Sequence, residues 1–150
     1  MLLIWYLNRL TVATVFEMDV LNIINSPKTI LGAFRFKIGE SSLLLRFIEI
    51  LVNIRSIIFK LPYGDQAFFL RKKFFNESGC FLDISIMEDF AFVLKLRRIG
   101  KTAISRKYAV TSSRRWRRLG IIKTILINQA AILAYIFGVS PDRINKWYNI

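Results

Sequence analysis

Histidine is absent from the 150 residues, cysteine occurs once, at Cys80, and the 23 lysines and arginines face only 10 acids. Without histidine there is no imidazole to ligate a metal, to act as a general base or to complete a catalytic triad. With a single cysteine there is no intramolecular disulfide, which suits a reducing cytoplasm. Prolines number three and glycines seven, and no repeat, low-complexity stretch or linker interrupts the chain, so it reads as one unit. The opening apolar run MLLIWYL is too short to span a bilayer. Arg9 follows that run instead of preceding it, the reverse of a secretory signal.

Hydrophobic residues, by contrast, make up 54% of the chain and aromatics 14%. With a mean hydropathy of +0.41, this composition excludes disorder and implies a packed core. The formal charge of +13 favours anionic partners: a nucleotide diphosphate, an anionic lipid surface or nucleic acid. Nucleic acid is suggested by charge alone.

Hydrophobic periodicity divides the chain into alternating helices and a few strands. Residues 11–25 read as a weak amphipathic helix, closed by the turn signal Asn25-Ser26-Pro27-Lys28. Residues 29–38 read as a strand, with Phe34, Phe36 and Ile38 alternating against Arg35 and Lys37. Ser41 or Ser42 then caps a helix that Pro62 stops. Its polar residues Arg46, Glu49, Asn53, Ser56 and Lys60 recur at steps of three and four. They form one narrow stripe, which predicts a cylinder buried on most sides, in a core or against lipid.

Residues 67–70 read as a short strand, 76–81 as a turn and 87–99 as a helix. That helix has Glu88 and Asp89 at its start, Arg97 and Arg98 at its end and Gly100 as its cap. One or two short strands are expected over 101–110. A long apolar helix is expected over 121–137, ended by Gly138, and a last helix opens at Ser140-Pro141-Asp142. The fold class is α/β.

Three short motifs occur in order: Tyr63-Gly64-Asp65-Gln66, Met87-Glu88-Asp89 and Thr111-Ser112-Ser113-Arg114-Arg115-Trp116. Gly64 permits close backbone approach, and Asp65 and Gln66 offer acceptors and donors. This segment is either a pocket wall or a capped turn feeding a strand. Glu88 and Asp89 complement a helix N-terminus whatever else they do. Arg114 and Arg115 suit phosphate and Trp116 suits a sugar face, while Arg117 and Arg118 extend the same cluster as a basic flank of the apolar helix. Arg71 and Lys72 either face a diphosphate or end a strand in solvent.

With the text around these motifs, residues 27–147 resemble family 2 glycosyltransferases, and within them a bacterial subfamily with the pattern GDQ, xRR, GGF, MED, LRRxG, TSxRRW. Cys80 stands where that pattern has its second glycine. The resemblance implies the C-terminal, acceptor-side part of a GT-A fold over 27–150, with 1–26 as a non-matching segment. It implies transfer of a sugar from a nucleotide-sugar donor to an acceptor hydroxyl, with Asp89 as the base that deprotonates the acceptor. It puts Gly64, Asp65, Gln66 and Glu88 beside the acceptor, and Arg114, Arg115 and Trp116 near the glycan and the donor diphosphate.

Complete relatives that use a metal, magnesium or manganese, carry an Asp-x-Asp motif after an N-terminal nucleotide-binding region. Here only Glu17 and Asp19 offer acids at that spacing, in a stretch that reads as helix, and no metal ligand is assigned. The chain is therefore expected to be truncated on the donor side and inactive alone. The rival expectation is a non-enzymatic remnant of the fold that binds a partner or an anionic membrane surface through arginines 114–118 and helix 121–137. Either reading is compatible with a cytoplasmic protein, peripheral at the inner face of a membrane.

Overall fold

The computed structural model describes residues 2–5, 15–40 and 42–148, with side chains from residue 18 onward. The chain is mixed α/β. Strands β1 (Leu2–Trp5), β2 (Thr29–Ile38), β3 (Phe68–Arg71) and β4 (Lys101–Thr111) form one sheet in the order β1-β3-β2-β4. β3 runs antiparallel to both neighbours, and β2 and β4 run parallel. The one or two short strands expected over 101–110 are a single strand of 11 residues, irregular in its pairing with β2 between Ala33 and Arg35.

Alternation along β2 sends side chains to both faces of the sheet. Phe34 joins Phe69, Ala67 and Ala109 under helix α1 (Val15–Asn25), against Val20 and Ile24. Leu31 and Ala33 join Phe68 and Leu70 on the other face, under Phe92, Val93 and Leu96 of helix α4 (Glu88–Arg97). Opposite Phe69 on β2 stands Gly32, where a Cβ would lie 2.0 Å from the Phe69 ring. The ring therefore lies flat across the strand only because that residue is glycine. The first four residues of α1's expected span, 11–14, lie outside the described residues.

Helix α2 (Leu43–Phe59) departs most from expectation. Beyond Ala33, β3 no longer covers the edge of β2, and backbone groups there need other partners. The polar stripe of α2 supplies them. Asn53 exchanges two hydrogen bonds with Phe36, the Phe36 N–H donating to Oδ1 at 2.8 Å and Nδ2 donating to the Phe36 carbonyl at 2.9 Å. The Ile38 N–H donates to Glu49 Oε1 at 2.6 Å. Arg46 holds Glu49 in place through both carboxylate oxygens at 2.6 Å.

The stripe therefore faces inward and much of the apolar side faces out: Leu43 is 92% exposed and Ile58 66%. The expectation of a helix buried on most sides in the chain's own core is corrected; the alternative, an apolar side turned to lipid, is not touched by this packing. The residues that mark its orientation are the polar ones, which pair the strand groups that β3 leaves uncovered.

The first two residues of the turn expected over 76–81 belong instead to the end of a short helix α3 (Lys72–Glu77). Helix α4 caps at Arg98, two residues before Gly100. Helices α5 (Arg114–Leu119), α6 (Ile121–Ile136) and α7 (Pro141–Tyr148) follow β4. Trp116, Ile121 and Ile125 pack with α2 residues Leu45 and Ile48 on Phe36 and Ile38. Ala131 and Ile144 close over Met87 and Phe90 at the start of α4. Among the described residues no helix is long and apolar enough to cross a membrane.

Candidate functional site

A cavity of about 650 Å³ opens where the starts of α4 and α5, the inner side of α6 and the end of α7 meet the sheet. Gly64, Asp65, Glu88, Asp89, Arg115 and Trp116 all line it. Residues 63–65, 88–89 and 115–116, distant in sequence, thus share one wall of solvent-accessible surface.

The Gly64–Gln66 segment is a single 3-10 turn between α2 and β3. Its glycine is a close-approach glycine: a Cβ at Gly64 would lie 2.7 Å from Asp89 Oδ2. The Gly64 N–H donates to that oxygen at 2.6 Å, and the Phe90 N–H donates to Asp89 Oδ1 at 2.7 Å. Each Asp89 oxygen thus holds one backbone donor, and a carboxylate retains further lone pairs for a ligand. The residue before this helix, Met87, is held in the left-handed region at φ 70°, a conformation that costs a non-glycine residue about 1 kcal/mol or more and concentrates at functional sites.

Gln66 takes no part in the cavity lining. It is fully buried. Its Oε1 accepts from Ser56 Oγ at 2.7 Å and from the Tyr63 N–H at 3.2 Å, and its Nε2 donates to the Phe34 carbonyl at 3.0 Å. Its amide is committed to tying α2, the turn and β2 together. Arg114 is exposed and folds back on Ser112, its Nε donating to Oγ at 3.1 Å. Glu88 stands exposed at the rim.

Asp65 has an exposed flank towards the cavity, while its carboxyl lies deep among protein atoms. Burial pushes its pKa up to about 6; Arg55 opposes the shift and the neighbouring Asp89 adds to it. Arg55 stacks on the Tyr63 ring, 3.4 Å from its centroid, and burial lowers its pKa from the usual value. Its Nε and Nη2 have no hydrogen-bond partner among the described residues. Arg115 stacks 4.1 Å above the Tyr148 ring, and its Nε is buried without a partner among the described residues. The Tyr148 hydroxyl donates to Asn128 Oδ1 at 3.1 Å, and burial raises the Tyr148 pKa.

The cavity thus combines three carboxylates, one stacked guanidinium, hydroxyls and amides (Ser85, Thr111, Ser112, Thr124, Asn128, Asn145) and aromatic faces (Phe36, Phe81, Phe90, Trp116). Such a lining suits a ligand with many hydroxyls and some apolar face. Sequence reasoning missed Arg55, Asn128 and Tyr148. The signal for the first two was a polar residue within an apolar helix; Tyr148, near the end of the chain, carried none.

Asp19 lies elsewhere, accepting a short hydrogen bond from Ser105 Oγ that ties α1 to β4. The Glu17 side chain lies outside the described residues. Asp19 is engaged and remote from the cavity lining, and no cluster of three His, Cys, Asp or Glu forms among the described residues. Asp19 therefore brings no metal ligand to the candidate site. Arg71 donates to the Ile24 carbonyl at 3.2 Å and to Asn25 Oδ1 at 3.1 Å, which joins β3 to the end of α1. Comparison of the chain with protein-family models, curated proteins and solved structures gives no match.

Proposed function

We propose that the chain forms the acceptor-binding side of a GT-A glycosyltransferase that moves a sugar from a nucleotide-sugar to a hydroxyl. The observation that supports this reading is the meeting of Gly64-Asp65, Glu88-Asp89 and Arg115-Trp116 on one cavity. The acceptor hydroxyl lies against Asp89, whose carboxylate is aimed by the Gly64 and Phe90 N–H groups. As the hydroxyl oxygen bonds to the sugar's anomeric carbon and the bond to the diphosphate breaks, its proton passes to that carboxylate. Asp65, whose pKa burial pushes up to about 6, is the second carboxylate and sets the charge beside the base. Trp116 offers a sugar face, and Arg115 offers donors to an anionic or hydroxyl group. The donor side is supplied by a further segment or a partner chain.

The test has two parts. Saccharides and other polyols should perturb Trp116 fluorescence in the chain as it stands, and Trp116→Ala should remove the effect. When a donor half is supplied in trans, Asp89→Asn should lower transfer by about 10²–10⁴-fold and Glu88→Gln by much less. The reading is wrong if no hydroxylated ligand perturbs Trp116. The base is Asp65 instead if Asp89→Asn keeps most of the activity and Asp65→Asn loses it.

A further inference from the structure

The outward side of α2 is apolar along its whole length. Leu43, Phe47, Ile50, Ile54 and Ile58 follow one another at steps of three and four, and all are exposed. Amphipathic helices turn such a stripe inward. Here Glu49 and Asn53 hold the inner side to the edge of β2, and the helix could not roll over without stripping that edge of its partners. Helix α6 carries a second exposed stripe, Ile122, Leu126, Leu133 and Ile136. Its first turns and Trp116 of α5 pack on the same buried cluster as α2. Cations accompany these stripes: Lys60 closes α2, Arg114, Arg117 and Arg118 stand exposed on α5, and Lys123 stands exposed at the start of α6.

From this we infer that α2 and α6 dock side-on to an anionic lipid surface, with their apolar stripes at the acyl boundary and the cations at the headgroups. Charge selects this occupant over a second copy. Two chains of formal charge +13 each repel, whereas the same charge attracts anionic headgroups. Length selects docking over insertion: none of the described helices is long and apolar enough to cross a membrane, and helices of this kind lie in the interface plane. The inference stands independently of the glycosyl-transfer reading, because it uses the outer side of α2 and α6 and not the cavity.

The experiment is vesicle flotation of the full chain. Vesicles of phosphatidylcholine alone should leave it behind, an equal mixture with phosphatidylglycerol should carry it, and added salt should release it. The double variant Phe47→Ser, Ile54→Ser, with an unchanged circular dichroism spectrum, should bind the mixed vesicles about 10-fold more weakly or worse. If that variant does not fold, Arg118→Gln with Lys123→Gln, both outside the apolar stripes, should weaken binding by a similar ~10-fold. Failure of the parent chain to float with anionic vesicles overturns the inference, as does unchanged binding by whichever variant is folded. A concentration-dependent dimer that forms through α2 and leaves vesicles unbound overturns it in favour of a second copy.

Discussion

At the scale of single residues the carboxylates divide the work by environment. Asp89 is oriented by two backbone donors, whereas Asp65 is desolvated and carries a pKa of about 6 against an ordinary 3.8. The sign of the consequence follows from proton binding. Between those two values the folded chain keeps a proton that the unfolded chain has released, so this group's contribution to stability falls as pH rises through the window. Asp65→Asn removes the penalty. The variant should therefore melt higher than the parent at about pH 7.5, with the gain shrinking towards about pH 4. Melting curves at the two pH values measure this, and an equal gain at both would mean that the Asp65 carboxyl is solvated in the ordinary way. The same titration sets the charge of the cavity, so binding of any ligand that contacts Asp65 should change between about pH 5 and 7.

At the scale of elements, helix α2 substitutes for a strand. Its side chains satisfy the Phe36 and Ile38 backbone groups that β3 leaves uncovered. Asn53→Leu should cost about 1–3 kcal/mol, the penalty for unpaired buried polar groups, and should promote association through the bared edge of β2. Denaturant unfolding and light scattering measure the two effects; a leucine variant as stable and as monodisperse as the parent would show that water replaces the amide.

Much of the sheet was legible in the sequence for a simple reason. Phe34, Phe36 and Ile38 repeat with period two, and burial on one side of a strand writes that period directly. The polar stripe of α2 was legible too, but its direction was not, because periodicity marks which residues share a side and not what that side meets. Side-chain bonds to a strand edge carry no period of their own. The cavity was legible only through the motif resemblance: no spacing in the chain says that residues 64, 89 and 115 converge. Gln66 shows the limit of a motif, since it stands beside Asp65 yet turns inward to Phe34 and Ser56.

At the scale of the whole molecule, β3 is paired on both edges and β2 is covered by β3, β4 and α2. Exposed apolar surface lies instead on helices, chiefly α2 and α6. The candidate site combines carboxylates, a guanidinium and aromatic faces. On the proposed reading, in which the donor site is not part of this chain, the chain alone should bind uridine or guanosine diphosphate sugars weakly. Titration calorimetry with manganese present should give a dissociation constant above about 100 μM, equivalent to some −5.5 kcal/mol, and a tighter value would mean that the donor site resides in this chain.

The bonds from Asn53 and Glu49 to β2 also make two amide hydrogens, those of Phe36 and Ile38, into reporters of a single event. Amides that a neighbouring strand holds, by contrast, exchange only when strands part. These two are released when α2 swings away, with the ladder intact. Their exchange rates thus read the hinge between helix and sheet separately from global unfolding. A surface that grips the outer side of α2 would clamp that hinge and slow both amides together, leaving the rest of the exchange map unchanged.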